Sequence, residues 1–129
     1  MFRIIVADDS SMARMFIQRC LEIAGFSDAK FIQAVNGEEV KKILEQEPAD
    51  VVVTDLNMPK MDGTELLKWI KSTPALKNIP VVIISSTTNK KKVAELEELG
   101  AFAILGKPLS PPVAVAALTP LLEKLEAGN

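Results

Sequence analysis

Short uninterrupted apolar runs alternate along this chain with stretches in which apolar residues recur every three or four positions. The first pattern marks buried strands, the second helices with one covered face. Read this way, the chain holds five strand-then-helix units with no linker between them. The first strand spans Phe2 to Ala7. Ser10 or Ser11 then caps a helix with Met12, Met15, Phe16, Cys20 and Ile23 on its apolar face, ending at Gly25. A second strand covers Lys30 to Ala34, and Asn36-Gly37 opens a helix with Val40, Ile43 and Leu44 inward, stopped by Pro48. The third strand is Val51 to Thr54, a run that suits burial on both faces.

The segment Asn57-Met58-Pro59-Lys60-Met61-Asp62-Gly63 is too rich in turn formers for a helix and predicts a loop. After it comes a helix over Thr64 to Ser72 that buries Leu66, Leu67 and Ile70. A fourth strand, Val81 to Ser85, is entered from Pro80. The fourth helix, about Lys91 to Leu99, carries Val93, Leu96 and Leu99 at helical spacing and stops at Gly100. Phe102 to Leu105 forms the fifth strand. The last helix starts near Pro111-Pro112, acceptable in a first turn, and runs to about Glu126 with Val113, Ala117, Leu121 and Leu125 on one face. Such alternation means a parallel sheet with helices on both faces and right-handed crossovers, a doubly wound α/β fold.

Length and composition agree with one ordinary domain over residues 1–129, at 48% hydrophobic and 25% charged. A net charge of −2 offers no general attraction for nucleic acid or an anionic membrane. No apolar run approaches the ~20 residues that cross a bilayer. The start of the chain also lacks the basic-then-apolar pattern of a secretory leader. Cys20, the single cysteine, cannot make an internal disulfide, and the cytoplasm is the expected compartment. The chain has no histidine, which excludes a Ser-His-Asp triad or an H-E-x-x-H zinc site. If phosphoryl chemistry occurs here, any phosphohistidine must belong to another protein.

The candidate chemistry lies where apolar runs end. Asp8-Asp9 follows the first strand and Asp55 the third. In a parallel sheet both strand ends open onto one edge. A single acid at such a junction can simply cap a helix or face its dipole. Several acids aimed at one spot are another matter, because each pair repels by ~4 kcal/mol at 4 Å and an effective dielectric of 20. Something positive must sit there, and a divalent ion with oxygen ligands is the natural candidate. Ser85, ending the fourth strand, can point its hydroxyl into the same crevice, and Lys107, before Pro108, brings a cation to it.

Four signatures in this order identify a family: Val6-Ala7-Asp8-Asp9-Ser10, Thr54 through Gly63, Ser85, and Lys107-Pro108. The chain resembles the receiver domain of bacterial two-component response regulators, and most closely the single-domain chemotaxis regulators of the CheY type. The resemblance implies a flavodoxin-like sheet of about five strands in the order 2-1-3-4-5. It implies that Asp55 accepts a phosphoryl group from a phosphohistidine of a sensor histidine kinase or phosphotransfer protein, or from acetyl phosphate. It further implies Mg²⁺ held by the Asp9 and Asp55 side chains and the backbone carbonyl of Asn57, with Asp8 acting mainly through water. Lys107 and the Ser85 hydroxyl would each hold a phosphoryl oxygen, and the Lys107-Pro108 bond would be cis. Met58-Pro59 and Gly63 read as loop geometry.

Two positions depart from the family pattern. The switch aromatic expected three residues before the lysine is Ile104, with Phe102 two residues earlier on the same strand face by alternation. Ser86 replaces the small residue usual after the hydroxyl position. Output to a downstream protein is still expected through helix four, strand five and helix five, with altered coupling. Lys90-Lys91-Lys92, near the start of helix four, reads as a solvated basic turn or a docking patch for an acidic segment. Because the chain stops soon after helix five, its effect is expected through protein contact, the alternative being a module cut from a longer regulator with an enzymatic or DNA-binding domain. A haloacid-dehalogenase-type phosphatase would need a nucleophile and an acid/base aspartate two residues apart, and here Asn57 follows Asp55 at that spacing.

Overall fold

The computed structural model describes residues 1–86 and 89–128; Thr87, Thr88 and Asn129 lie outside them. Five strands form a parallel sheet: β1 (Arg3–Ala7), β2 (Lys30–Ala34), β3 (Val51–Asp55), β4 (Val81–Ser85) and β5 (Ala103–Gly106), in the order β2-β1-β3-β4-β5. Between and after them run α1 (Ser11–Leu21), α2 (Gly37–Gln46), α3 (Gly63–Ser72), α4 (Lys90–Glu98) and α5 (Pro111–Glu126). Most of these boundaries fall within about one residue of the expected ones, because local signals set them. Ser10, Asn36, Asp62, Asn89 and Ser110 each cap a helix by accepting from its first-turn backbone N–H groups. Asp62 and Glu65 close a reciprocal capping box. Beyond Leu21, α1 continues through a wide π-type turn over Glu22–Phe26, broken at Gly25, whose φ of 114° favours a residue without a Cβ.

The pleat of the sheet sorts the core. Ile4, Val6, Val51, Val53, Val82 and Ile84 face one side, against α1 and α5, while Ile5, Ala7, Val52, Val81 and Ile83 face the other, against α2, α3 and α4. Leu66, Leu67 and Ile70 of α3 and Val40 of α2 are wholly buried there, as expected. Burying each of the three α3 side chains contributes roughly 1.5–3 kcal/mol.

Two expectations about faces fail, and a third holds only in part. On α1, Met12, Met15, Phe16 and Ile23 are exposed; of the anticipated stripe only Cys20 is buried, alongside Ile17, Leu21 and Ala24. The helix carries apolar residues at helical spacing on two sides, and the side that meets Ile4, Val6 and α5 is the one that is covered. On α5, Leu121 is buried as expected and Ala117 and Leu125 pack partly buried against the same cluster, but Val113 is exposed and Ala114 and Leu118 complete the buried stripe. Phe102 precedes β5 in a bend, so alternation does not carry through it. It packs with the α1 and α5 side, whereas Ile104 packs with the α2–α4 side.

Candidate functional site

The alternation that builds the α1 and α5 side of the core carries through to the last residue of β3 and one step past the ends of β1 and β5. Ile4 and Val6 are followed in that register by Asp8, Val51 and Val53 by Asp55, and Ala103 and Leu105 by Lys107. Three polar groups from three strands therefore reach the same corner, as the order β1-β3-β4-β5 dictates. Lys107 Nζ lies 2.7 Å from Asp8 Oδ2 and 3.3 Å from Asp55 Oδ2, an ammonium shared between two carboxylates. Asp8 and Asp55 are buried and Asp9 is exposed.

Backbone donors hold both buried acids in place. The Ser10 N–H donates to Asp8 Oδ1 at 2.9 Å and the Leu56 N–H to Asp55 Oδ1 at 2.8 Å. Burial pushes the Asp55 pKa up and the Asp8 charge adds to the rise, while Lys107 pulls it back only in part. For Lys107, burial works against the charge, yet the hydrogen bond to Asp8 and the charges of Asp55 and Asp8 outweigh it and raise its pKa. The lysine is thus held as a cation.

The loop after β3 is folded back onto the site by a close backbone contact. Gly63 N–H donates to the Leu56 carbonyl at 2.8 Å, and a Cβ on Gly63 would lie 2.5 Å from the Asp55 carbonyl oxygen. Asn57 sits at the exposed start of this loop. Ser85 is buried at the end of β4, and the Lys107 N–H donates to its carbonyl at 2.9 Å. The Lys107-Pro108 peptide is cis, matching the expectation drawn from the resemblance. Beside Lys107 opens a cleft of about 450 Å³ whose lining includes Phe16, Ile84, Ser86 and Leu109.

The donor set suits a hard divalent cation. One carboxylate oxygen each from Asp8, Asp9 and Asp55 lies within 4.8 Å of the others. These are oxygen ligands alone, few in number, which is the supply magnesium takes while keeping several waters.

One participant escaped the sequence reading. Arg14, half-buried one turn into α1, donates from Nη1 to the Asp8 carbonyl at 2.6 Å and from Nε to Gln33 Oε1 at 2.8 Å. A cation so near a helix N-terminus opposes the dipole. That mismatch was the available signal.

The response regulator receiver domain model matches residues 4–119. This chain belongs to that family. Among its relatives, the Sensory/regulatory protein RpfC of Xanthomonas campestris is 37% identical over 110 residues, 83% of this chain but only 15% of that protein's length. The chemotaxis protein CheY1 of Helicobacter pylori is 33% identical over 125 residues, covering 96% of this chain and 94% of the relative. Among solved structures, the Mn²⁺-bound form of response regulator Rcp1 superimposes with a TM-score of 0.80 at 26% identity, covering 100% of this chain and 98% of that one. The chain is thus a two-component receiver domain with the CheY-like, flavodoxin-like sheet expected from its sequence. A receiver domain is a signalling module that takes its input from a kinase or phosphotransfer partner, which sets aside the dehalogenase-type phosphatase. Among the described residues, no helix is long and apolar enough to cross a membrane.

Proposed function

We propose that Asp55 is the phosphoacceptor of this receiver domain. The observation that carries the reading is the Lys107 ammonium held between Asp8 and Asp55, with Asp9 completing the acid group. In the transfer, an Asp55 carboxylate oxygen forms a bond to phosphorus as the phosphorus–nitrogen bond of the donor phosphohistidine breaks. The departing imidazole nitrogen keeps the electron pair and takes up a proton. Phosphoryl transfer calls for in-line positioning and charge neutralisation more than covalent help. Lys107 supplies a point charge for one phosphoryl oxygen and the Ser85 hydroxyl a hydrogen bond for another.

Asp9 and Asp55, with the Asn57 carbonyl, would hold Mg²⁺, and Asp8 would act mainly through water. When bound, the ion neutralises charge on the transferring group. That the structurally similar Rcp1 has a Mn²⁺-bound form supports a divalent ion in this reading. Phosphorylation then adds close to two negative charges at neutral pH. We place the output on α4, β5 and α5, where β5 is the edge strand and presents Ile104 toward α4.

The donor protein docks, in this reading, against the exposed side of α1. Met12, Met15 and Phe16 stand in solvent there, with Phe16 also lining the cleft beside Lys107. Large exposed apolar side chains grouped beside a reactive site mark a contact surface. The deciding experiment is incubation with Mg²⁺ and acetyl phosphate followed by intact mass. Wild type should gain one phosphoryl group and Asp55→Ala none; equal labelling of both would remove Asp55 from the role.

A further inference from the structure

We infer that Arg14 is a positioning residue for the metal-binding acids, an assignment that rests on the Mg²⁺ reading above. Its guanidinium spans two strands. Nη1 donates to the main-chain carbonyl of Asp8, just past β1, and Nε donates to Gln33 Oε1 on β2. Arg14 N–H in turn donates to the Ser10 carbonyl at 3.0 Å, so the side chain springs from the first turn of the helix that Ser10 caps. The peptide between these anchors is the one that carries Asp8 and Asp9. Asp8 is further tied at its N–H to the Ala34 carbonyl at 3.1 Å and at Oδ1 to the Ser10 N–H.

Asp9 gains least from this web. It is exposed, whereas Asp8 and Asp55 are each held by a backbone donor and by Lys107. Its aim depends on the Asp8–Asp9 peptide, and Arg14 is the side chain that fixes that peptide from the helix side. Side chains that orient a metal ligand without touching the metal typically cost 10–100-fold in affinity when lost. The electrostatic effect has the opposite sign. A cation beside an acidic pocket opposes a second cation, so neutralising Arg14 by charge alone would tighten Mg²⁺ binding. Positioning predicts looser binding, and the direction of the change separates the two.

The experiment titrates Mg²⁺ into the full chain by calorimetry, with folding checked by circular dichroism. Arg14→Met should weaken binding by roughly tenfold, with Arg14→Lys falling between it and wild type, since the ammonium keeps the charge but not the two-pronged grip. Gln33→Ala removes the second anchor from an exposed position and should weaken binding less than Arg14→Met. In an Arg14→Met background it should add nothing. Arg14→Met binding as tightly as wild type, or more tightly, would overturn the assignment, as would an equal Gln33→Ala effect in both backgrounds. If Arg14→Met does not fold, the Arg14→Lys and Gln33→Ala titrations decide by the same signs. The underlying reading is checked separately: a wild type that binds no Mg²⁺, or an Asp9→Asn, Asp55→Asn double variant that binds it unchanged, sinks the metal site itself and the role of Arg14 with it.

Discussion

Burial of the Asp55 carboxyl, with the Asp8 charge beside it, pushes its pKa above the ordinary value, and Lys107 restores only part of the loss. A carboxyl whose pKa is raised by folding binds its proton more tightly in the native state than in the unfolded one. Its ionisation therefore destabilises the fold as pH rises through the native value, and has no such effect below the unfolded value of about 3.9. Asp55→Asn should raise the melting temperature at neutral pH, and the gain should vanish by about pH 3.9; thermal melts across that range check the sign. Lys107 works the other way. Its raised pKa means its stabilising contribution is complete at neutral pH and is lost only as pH climbs through that value. The carboxylates and the lysine were legible from their places at strand ends. Arg14 was not, because a lone arginine in a helix is usually a solvated side chain.

The loop after β3 and the strand β5 each put a geometric demand on one position. Gly63 brings the start of α3 against the strand end that carries Asp55, and its missing Cβ is what permits the contact. Gly63→Ala should cost about 1–3 kcal/mol, the range for forcing extra atoms into close packing, measurable by urea denaturation. The turn formers of this loop were plain in the sequence; the backbone approach behind its glycine was not. On β5, Ile104 takes the position where the family pattern has an aromatic and faces α4, while Phe102 has turned to the other side beneath Lys124 Nζ, 5.8 Å from its ring. An aromatic switch of the family type has no ring on that face of β5. Ile104→Tyr should change affinity for a downstream partner while leaving labelling by acetyl phosphate intact; unchanged phosphate-dependent binding in a pull-down would remove β5 from the signal path.

The molecule places its acidic corner at the carboxyl ends of β1 and β3 and leaves an apolar helix side next to it. Met12 and Met15 are 79% and 70% exposed. Substituting them should barely move stability, since exposed side chains away from special features change it by about 0.5 kcal/mol or less. Met12→Lys with Met15→Lys should slow transfer from a phosphohistidine donor protein roughly fivefold or more, the loss expected when an interface anchor goes. Labelling by acetyl phosphate should stay as in wild type, and a time course with each donor tests the contrast. Strand and helix order, the caps and the acids at strand ends could all be read in the chain, because each follows from neighbours a few residues apart. Two things needed the assembled fold. Which apolar stripe of α1 is covered depends on the sheet and α5 it meets, since the helix offers two stripes of similar spacing. The meeting of Lys107 with Asp8, 99 residues away along the chain, depends on strand order and pleat, which bring distant strand ends to one corner through contacts that no local pattern encodes.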